Sequence, residues 1–557
     1  MSGETTEAAP AVSGFTVKTD GCRKPGRNDG NMREKGESAV ILESYELGRY
    51  YRHLESCGLV RECSADQTQM QQKIEHLTFD SRDVRKNTLF ICKGAHFRPE
   101  YLEAAVKAGA AAYISEIPYD TNGTKDVPHI IVSDIRAAMA EAAGIFYRHI
   151  TDKLHLIGIT GTKGKSTTAF FVKSIIDEYM SYTGGRESAV LSGIINYDGV
   201  ISEESHLTTP ESFDIYRHIC NAADCGIEYL TMEVSSQGLK YDRTRGLMFD
   251  IGCFLNIGKD HISSIEHSSF EDYLASKLKL FSQSRTICIN TESDKIETIT
   301  AAAEAVRDEN EKKGIDIPQI ITFGHHSADD YRAYDISSIE GNSGGIAFSV
   351  KAPDFDERFE ISMRGLFNVD NALAAVTITS CLGMPAEFIK CGLKKAYISG
   401  RMEFFKSRER GCGIIVDYAH NKMSFEALFR SVRAEMSYKK IFIVFGCPGG
   451  KAQNRRQELG EIAGRYADRI YLTEEDAGEE PVGDICREIA RCIGENGCAY
   501  EIIEDRGEAI RAAVNAADSD TLILITGKGR ETRQKRGTDY VETPSDVDYV
   551  QEIIRGE

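Results

Sequence analysis

Residues 154–176, LHLIGITGTKGKSTTAFFVKSII, pass from an apolar run through a turn of small residues to a Lys-Ser pair and a helix-like run. Read physically, this is a strand, a phosphate-cradling loop and a helix. Glycines at 161 and 164 let backbone N–H groups converge on a polyphosphate that a side chain would block, and the helix adds its positive N-terminal end. Lys165 can reach the terminal phosphates as a point charge, and Ser166 is placed to coordinate the accompanying Mg²⁺. The stretch predicts an ATP site formed by Gly161, Thr162, Lys163, Gly164, Lys165, Ser166 and Thr167. Ile159 stands where G-x-x-x-x-G-K-[ST] has its first glycine, so an ordinary glycine-rich strand-to-helix turn is the alternative.

A chain of 557 residues is too long for one core and suggests about three domains. The 67 basic and 86 acidic residues leave a net charge of −19, which argues against nucleic acid or an anionic membrane as a partner. Fifteen cysteines, an odd number without a C-x-x-C pair, read as reduced thiols. There is no signal-peptide core and no run of about 18 apolar residues, so a cytoplasmic protein is expected.

Residues 1–40 are polar with almost no apolar periodicity and are expected to form a disordered tail. Residues 41–150 alternate short apolar runs with helical spacing and predict a small α/β domain. Residues 151–398 begin with the phosphate loop. The buried-strand runs EYLTMEV, DIGCFLNI and RTICIN predict a mainly parallel sheet, with antiparallel strands following over YRAYDISS and its successors. Residues 399–557 carry strands at GIIVDYA, KIFIVFG, RIYLTEE and TLILITG, which predicts a doubly wound, Rossmann-like sheet. Such sheets bind ligands at the carboxyl ends of their strands, so function is expected in the cleft between domains.

Glu233 ends EYLTMEV and would deliver a carboxylate to the mouth of the phosphate loop, where Mg²⁺ needs an oxygen ligand. Asp260-His261 follows a buried strand and offers a second ligand, although a lone histidine there is commonly a cap or a surface residue. By spacing alone Lys277, in EDYLASKLKLF, reads as a solvated helix lysine. Thr208, Thr209, Glu211 and Ser235-Ser236 supply hydroxyls and an acid near the same sheet end, or simply cap helices.

The motifs TGTKGKST, LTTPES, MEVSSQGL, DHI, GLFNVDNALAA, GRMEFF, VDYAH, VFGCPGG and TGKGRE, in this order, resemble the Mur ligase family over about residues 75–535. Within it the pieces FDSRDV, LTTPE, MEVSS and GKGRE are similar to the members that add the third residue of the muropeptide. The resemblance implies an N-terminal UDP-sugar-binding domain, a central P-loop ATPase domain and a C-terminal amino-acid-binding domain; a monomer is expected. It implies that Lys165 and Ser166 hold ATP and Mg²⁺, that Glu233 and His261 ligate metal, and that Lys277 is carbamylated and holds a second Mg²⁺. Asn368, Asn371, Arg401 and Asp417 match positions around ATP. Ser81, Thr208, Thr209, Ser235 and Arg243 match positions that bind the UDP-sugar peptide, while Gly527 and Glu531 match contacts to the incoming amino acid. The implied activity is ATP-dependent addition of an amino acid to UDP-N-acetylmuramoyl-L-Ala-D-Glu through an acyl phosphate, with Lys165, Lys277 and His261 at the chemistry.

The amino-acid pocket departs from the family pattern. Members that add diaminopimelate carry Asp-Asn-Pro-Arg after the strand read here as RIYLT, and the arginine grips the distal carboxylate. This chain has Glu474-Glu475-Asp476-Ala477-Gly478, whose acids would attract a cation, so lysine is expected over diaminopimelate, with Glu475 and Asp476 as candidate contacts. Lys451 where an arginine is usual, NKMSF after DYAH, SSIEH after DHI, and Gln237 where His is frequent leave open a paralogue with another amine acceptor. A folylpolyglutamate synthetase-like ligase is a second alternative. A catalytically silent nucleotide-binding regulator is a third, disfavoured by the cost of clustering those charges without metal.

Overall fold

The computed structural model describes residues 44–94, 97–120, 123–124, 126–148, 153–260, 262, 266–339, 344–493 and 497–556. The expected tail at 1–40 and His261 lie outside the described residues.

The fold is three α/β domains, each built on one sheet. The first sheet runs in the order 60–63, 129–132, 110–115, 88–91, 76–78. Its inner pairs are parallel and Val60–Cys63 lies antiparallel at one edge. Helices Leu47–Ser56 and Ile135–Phe146 pack their apolar sides into a common core through Leu47, Tyr50, Leu54, Ala138 and Ala142.

The second sheet has eleven strands. Its centre is parallel: Tyr229–Glu233 and Phe249–Phe254 flank His155–Thr160, with Glu233 opposite Ile159 and Phe254 opposite Thr160. Strands buried on both faces carry continuous apolar runs, which is why these segments read so clearly as strands. Antiparallel hairpins finish both edges, Ile195–Tyr197 with Ser202–Glu204 at one and Tyr331–Ser338, Ile346–Lys351 and Asp356–Ile361 at the other. Helix Lys165–Thr183 buries Phe171, Val172, Ile175 and Ile176 completely. Fully burying each of these side chains is worth about 1.5–3 kcal/mol. Helix Ala386–Lys395 crosses so close that a Cβ on Gly392 would lie 2.4 Å from Ile175 Cα.

The third sheet runs 403–406, 413–417, 521–526, 440–445, 469–472, 499–502, parallel except for Glu403–Lys406 at one edge. Separate apolar clusters cover its two faces, as a doubly wound sheet requires. Among the described residues no helix is long and apolar enough to cross a membrane, and the cysteines are free thiols.

Candidate active site

Parallel strands all end on one side, and here three neighbours place the phosphate loop, Glu233 and the segment leading to Asp260 side by side. Ile159 is fully buried inside its strand, so the cradle starts only at Gly161 and a glycine two residues earlier has no role. Gly164 sits at φ +85°, and a Cβ there would come within 2.1 Å of Asn371 Oδ1. Asn256 clamps the loop. Its Oδ1 accepts from Lys163 N at 2.9 Å, its Nδ2 donates to Lys163 O at 3.1 Å, and its carbonyl accepts from Thr162 N at 3.0 Å. Asn256 was not legible as a site residue, since nothing in its local sequence marks a partner about ninety residues away.

Lys165 Nζ donates to Gly161 O at 2.9 Å and Thr162 O at 3.3 Å. Burial lowers its pKa, opposed by Glu233 and Asp260. Glu233 is 1% exposed, and one of its oxygens accepts from Gly193 N at 2.8 Å. Ser166 is buried, and its hydroxyl makes no side-chain hydrogen bond among the described residues.

Lys277 overturns the solvated reading that its spacing suggests. It is 1% exposed, its Nζ donates to Gly161 O at 2.8 Å, and it has no ion-pair partner among the described residues. Burial, and then the Lys165 ammonium, hold its pKa well below the usual lysine value, with Asp260 opposing. The hard oxygen donors of Ser166 and Glu233 beside a lysine disposed to lose its proton fit a Mg²⁺ site completed by a carbamate.

Asp260 binds Lys163 at 3.4 Å, Arg455 at 3.0 Å and Asn421 Nδ2 at 2.6 Å, joining the phosphate loop to the third sheet. Burial brings Lys163 down to about 8 despite Asp260, and Lys163 Nζ lies 3.3 Å from His420 Nε2. Nothing in the local sequence marks Arg455 as a site residue, since its partner Asp260 lies 195 residues away. A cleft beside the loop is walled by Asn368, Asn371, Arg401, Asp417 and His420. Asn371 donates to Asn368 at 3.0 Å, Arg401 stacks 4.4 Å over the Tyr418 ring, and Asp417 accepts from Met402 N and Ala419 N. Burial raises the Asp417 pKa, and Arg401 counters it.

On the other side of Glu233, Thr209 Oγ1 donates to Glu233 O at 2.9 Å and accepts from Ser235 N at 2.8 Å, while Arg243 donates to Thr209 O at 2.9 Å. Ser235 caps the short helix Ser236–Lys240, its Oγ accepting from Gly238 N at 3.0 Å. The capping alternative therefore holds for that residue. A built Cβ on Gly193 would have Thr208 Oγ1 at 3.6 Å and Glu233 Oε1 at 3.8 Å, so both line one spot. Glu211 joins Arg243 to Lys93 of the first domain, at 2.9 and 2.6 Å. Ser81 lies in the turn after His76–Thr78, next to Phe79, which packs on Phe213.

The acidic run at 474–476 is not the open cluster its composition suggests. Arg536 takes both Glu474 oxygens at 2.7 and 3.0 Å, and Lys528 pairs with Asp476 at 3.0 Å and with Glu531 at 2.5 Å. Glu531 also accepts from the Tyr418 hydroxyl. Glu475 alone of the three has no hydrogen bond or ion pair among the described residues. It is 7% exposed and lies against Gly527, where an added Cβ would meet its Oε2 at 2.3 Å. Burial raises its pKa to about 7, although Arg506, Arg455 and Lys528 pull the other way. An arginine does stand behind this pocket, but Arg506 is saturated by Asp546, Thr526 O and Glu474 O.

A phosphate loop with buried acid and lysine partners, facing a second α/β domain across a cleft, defines a nucleotide-driven enzyme. A model of the Mur ligase middle domain matches residues 159–379, and one of the Mur ligase glutamate ligase domain matches residues 400–529. The chain is 38% identical over 506 residues to UDP-N-acetylmuramyl-tripeptide synthetase of Lactobacillus delbrueckii subsp. bulgaricus, covering 88% of this chain and 95% of the relative. It is 36% identical over 471 residues to the UDP-N-acetylmuramoyl-L-alanyl-D-glutamate--L-lysine ligase of Enterococcus faecalis, covering 84% and 88%. A solved UDP-N-acetylmuramoyl-L-alanyl-D-glutamate--2,6-diaminopimelate ligase shares the fold with a TM-score of 0.61 at 23% identity, covering 92% of this chain and 99% of that one. The chain belongs to the Mur ligase family and is an ATP-dependent amide ligase.

Proposed function

We propose that this ligase joins L-lysine to UDP-N-acetylmuramoyl-L-Ala-D-Glu, a step in building peptidoglycan precursors. The observation that carries the choice of amino acid is Glu475, a buried carboxylate with no hydrogen bond or ion pair among the described residues, lying against Gly527. An ammonium on the side chain of the incoming amino acid would pair with it, whereas the distal carboxylate of diaminopimelate would meet like charge. The Enterococcus relative, whose name specifies lysine, supports the same reading.

Labour divides by domain. Residues 41–150, with Ser81 and Lys93, hold the UDP-sugar against Thr208, Thr209 and Arg243. Residues 151–398 hold ATP, and residues 399–557 hold the amino acid. Ser166, Glu233, His261 and carbamylated Lys277 would hold Mg²⁺, which supplies charge neutralisation for the polyphosphate. Lys165 stabilises the γ-phosphoryl group as a carboxylate oxygen of the D-Glu residue attacks it, giving an acyl phosphate and ADP. The lysine amine then attacks the acyl carbon, phosphate leaves, and the amine nitrogen releases its proton as the amide forms. The Asp260–Arg455 and Asp260–Lys163 contacts draw the third sheet over the phosphate loop and keep water from the acyl phosphate.

Phosphate release with ATP, the UDP-dipeptide and a panel of amino acids tests this. Turnover with lysine and little with diaminopimelate is expected, and turnover with diaminopimelate alone would refute it.

A further inference from the structure

Away from the ATP and substrate clefts, three side chains with different ligating atoms converge. Helix Leu47–Ser56 carries His53 in its last turn, and Cys57 closes it four residues on, so the two leave the same face. Glu141 projects from helix Ile135–Phe146, packed alongside. His53 Nε2 lies 2.8 Å from Glu141 Oε2 and 3.8 Å from Cys57 Sγ, and one ligand atom of each residue falls within 4.8 Å of the others. The second Glu141 oxygen accepts from Arg245 Nε at 2.8 Å.

An ion pair of His53, Glu141 and Arg245 accounts for three of these groups, with the Cys57 thiol held only at a long 3.8 Å contact to the imidazole. A metal ion would bind His53, Cys57 and Glu141 directly. Bonds of about 2.0–2.3 Å to nitrogen, oxygen and sulfur place neighbouring ligand atoms about 3.3–3.6 Å apart around tetrahedral zinc. The sulfur–nitrogen separation already lies close to that, and the imidazole–carboxylate contact needs to open by about half an ångström. One thiolate, one imidazole and one carboxylate form a set that suits zinc and not magnesium or calcium. Arg245 then does what an outer partner of a ligating carboxylate does, fixing its orientation through the oxygen the metal does not use. Glu141 is buried, while the His53 side chain keeps about a third of its surface in solvent, leaving an entry path and a place for a water as fourth ligand.

We propose that His53, Cys57 and Glu141 form a zinc site that fastens helix Leu47–Ser56 to helix Ile135–Phe146. Binding replaces the Cys57 S–H bond by a sulfur–zinc bond and releases that proton to solvent. The proposal does not depend on which amino acid the ligase adds.

Full-length protein stripped with a chelator and titrated with Co²⁺ tests it. One equivalent per chain should raise a thiolate-to-cobalt charge-transfer band, which zinc displaces. Cobalt entering the Mg²⁺ site meets no sulfur and gives no such band. Cys57→Ser should abolish the band, and His53→Gln should weaken cobalt and zinc binding at least tenfold, with far-UV circular dichroism unchanged in both. No band in the wild type at stoichiometric cobalt, or a band that survives Cys57→Ser, would overturn the proposal.

Discussion

Lys165 Nζ and Lys277 Nζ donate to the same acceptor, the carbonyl oxygen of Gly161, at 2.9 and 2.8 Å. Two ammonium groups sharing one acceptor repel, by roughly 4 kcal/mol if about 4 Å apart at an effective dielectric constant of about 20. Burial and then the Lys165 ammonium lower the Lys277 pKa well below the usual lysine value, and a neutral amine is the form that adds carbon dioxide. On the proposed function, a carbamate on Lys277 would exchange a positive charge for a negative one beside the metal.

Lys277→Arg keeps the cation and cannot form the carbamate. Steady-state phosphate release should fall by about 100-fold or more, the scale of losing one transition-state electrostatic partner. Removing bicarbonate should slow the wild type and leave the variant unchanged. Full activity in Lys277→Arg would exclude the carbamate.

Gly164→Ala tests the phosphate cradle. The new Cβ meets Asn371 Oδ1 at 2.1 Å, and the backbone at φ +85° disfavours any side chain. ATP affinity measured by calorimetry should drop at least tenfold, with a lower Tm from the strain. Unchanged ATP binding would show that the loop does not hold the phosphates.

Glu475→Gln removes the charge assigned to the lysine ammonium. Truncating one partner of a buried charged pair costs about 2–5 kcal/mol, so kcat/KM for lysine should fall about 30-fold or more while the KM for ATP holds. An unaltered lysine KM would move specificity elsewhere.

The same carboxylate sets a pH dependence. Burial raises its pKa from 4.5 to about 7, so the folded protein favours the neutral form. Its destabilising contribution is absent below the unfolded value, grows between about pH 4.5 and 7, and is full above that. A shift of that size is worth about 3 kcal/mol. Denaturant melts should therefore show Glu475→Gln gaining stability over the wild type at pH 8 and little at pH 4. If lysine pairs with the ionised form as proposed, it should bind the wild type more tightly as pH rises through 7.

Much of this was readable in the chain because parallel strands buried on both faces leave unbroken apolar runs, as at His155–Thr160, Tyr229–Glu233 and Thr521–Thr526. The phosphate loop was legible for a local reason, its glycines and Lys-Ser pair being contiguous. Lys277 was not legible by spacing, since its burial is created by Gly161, 116 residues away. The Asp260–Arg455 pair, 195 residues apart, left no mark in either segment. The three acids at 474–476 look equivalent in sequence. Arg536, 62 residues on from Glu474, and Lys528 pair with two of them and leave Glu475 without an ion pair among the described residues.

The most direct test is mass spectrometry of the product formed from UDP-N-acetylmuramoyl-L-Ala-D-Glu, ATP and an equimolar pool of amino acids that includes lysine and diaminopimelate. The account predicts a single major product heavier by one lysine residue, shifting to slower and less selective turnover in Glu475→Gln. A product carrying diaminopimelate, or a lysine product formed equally well by Glu475→Gln, would contradict it.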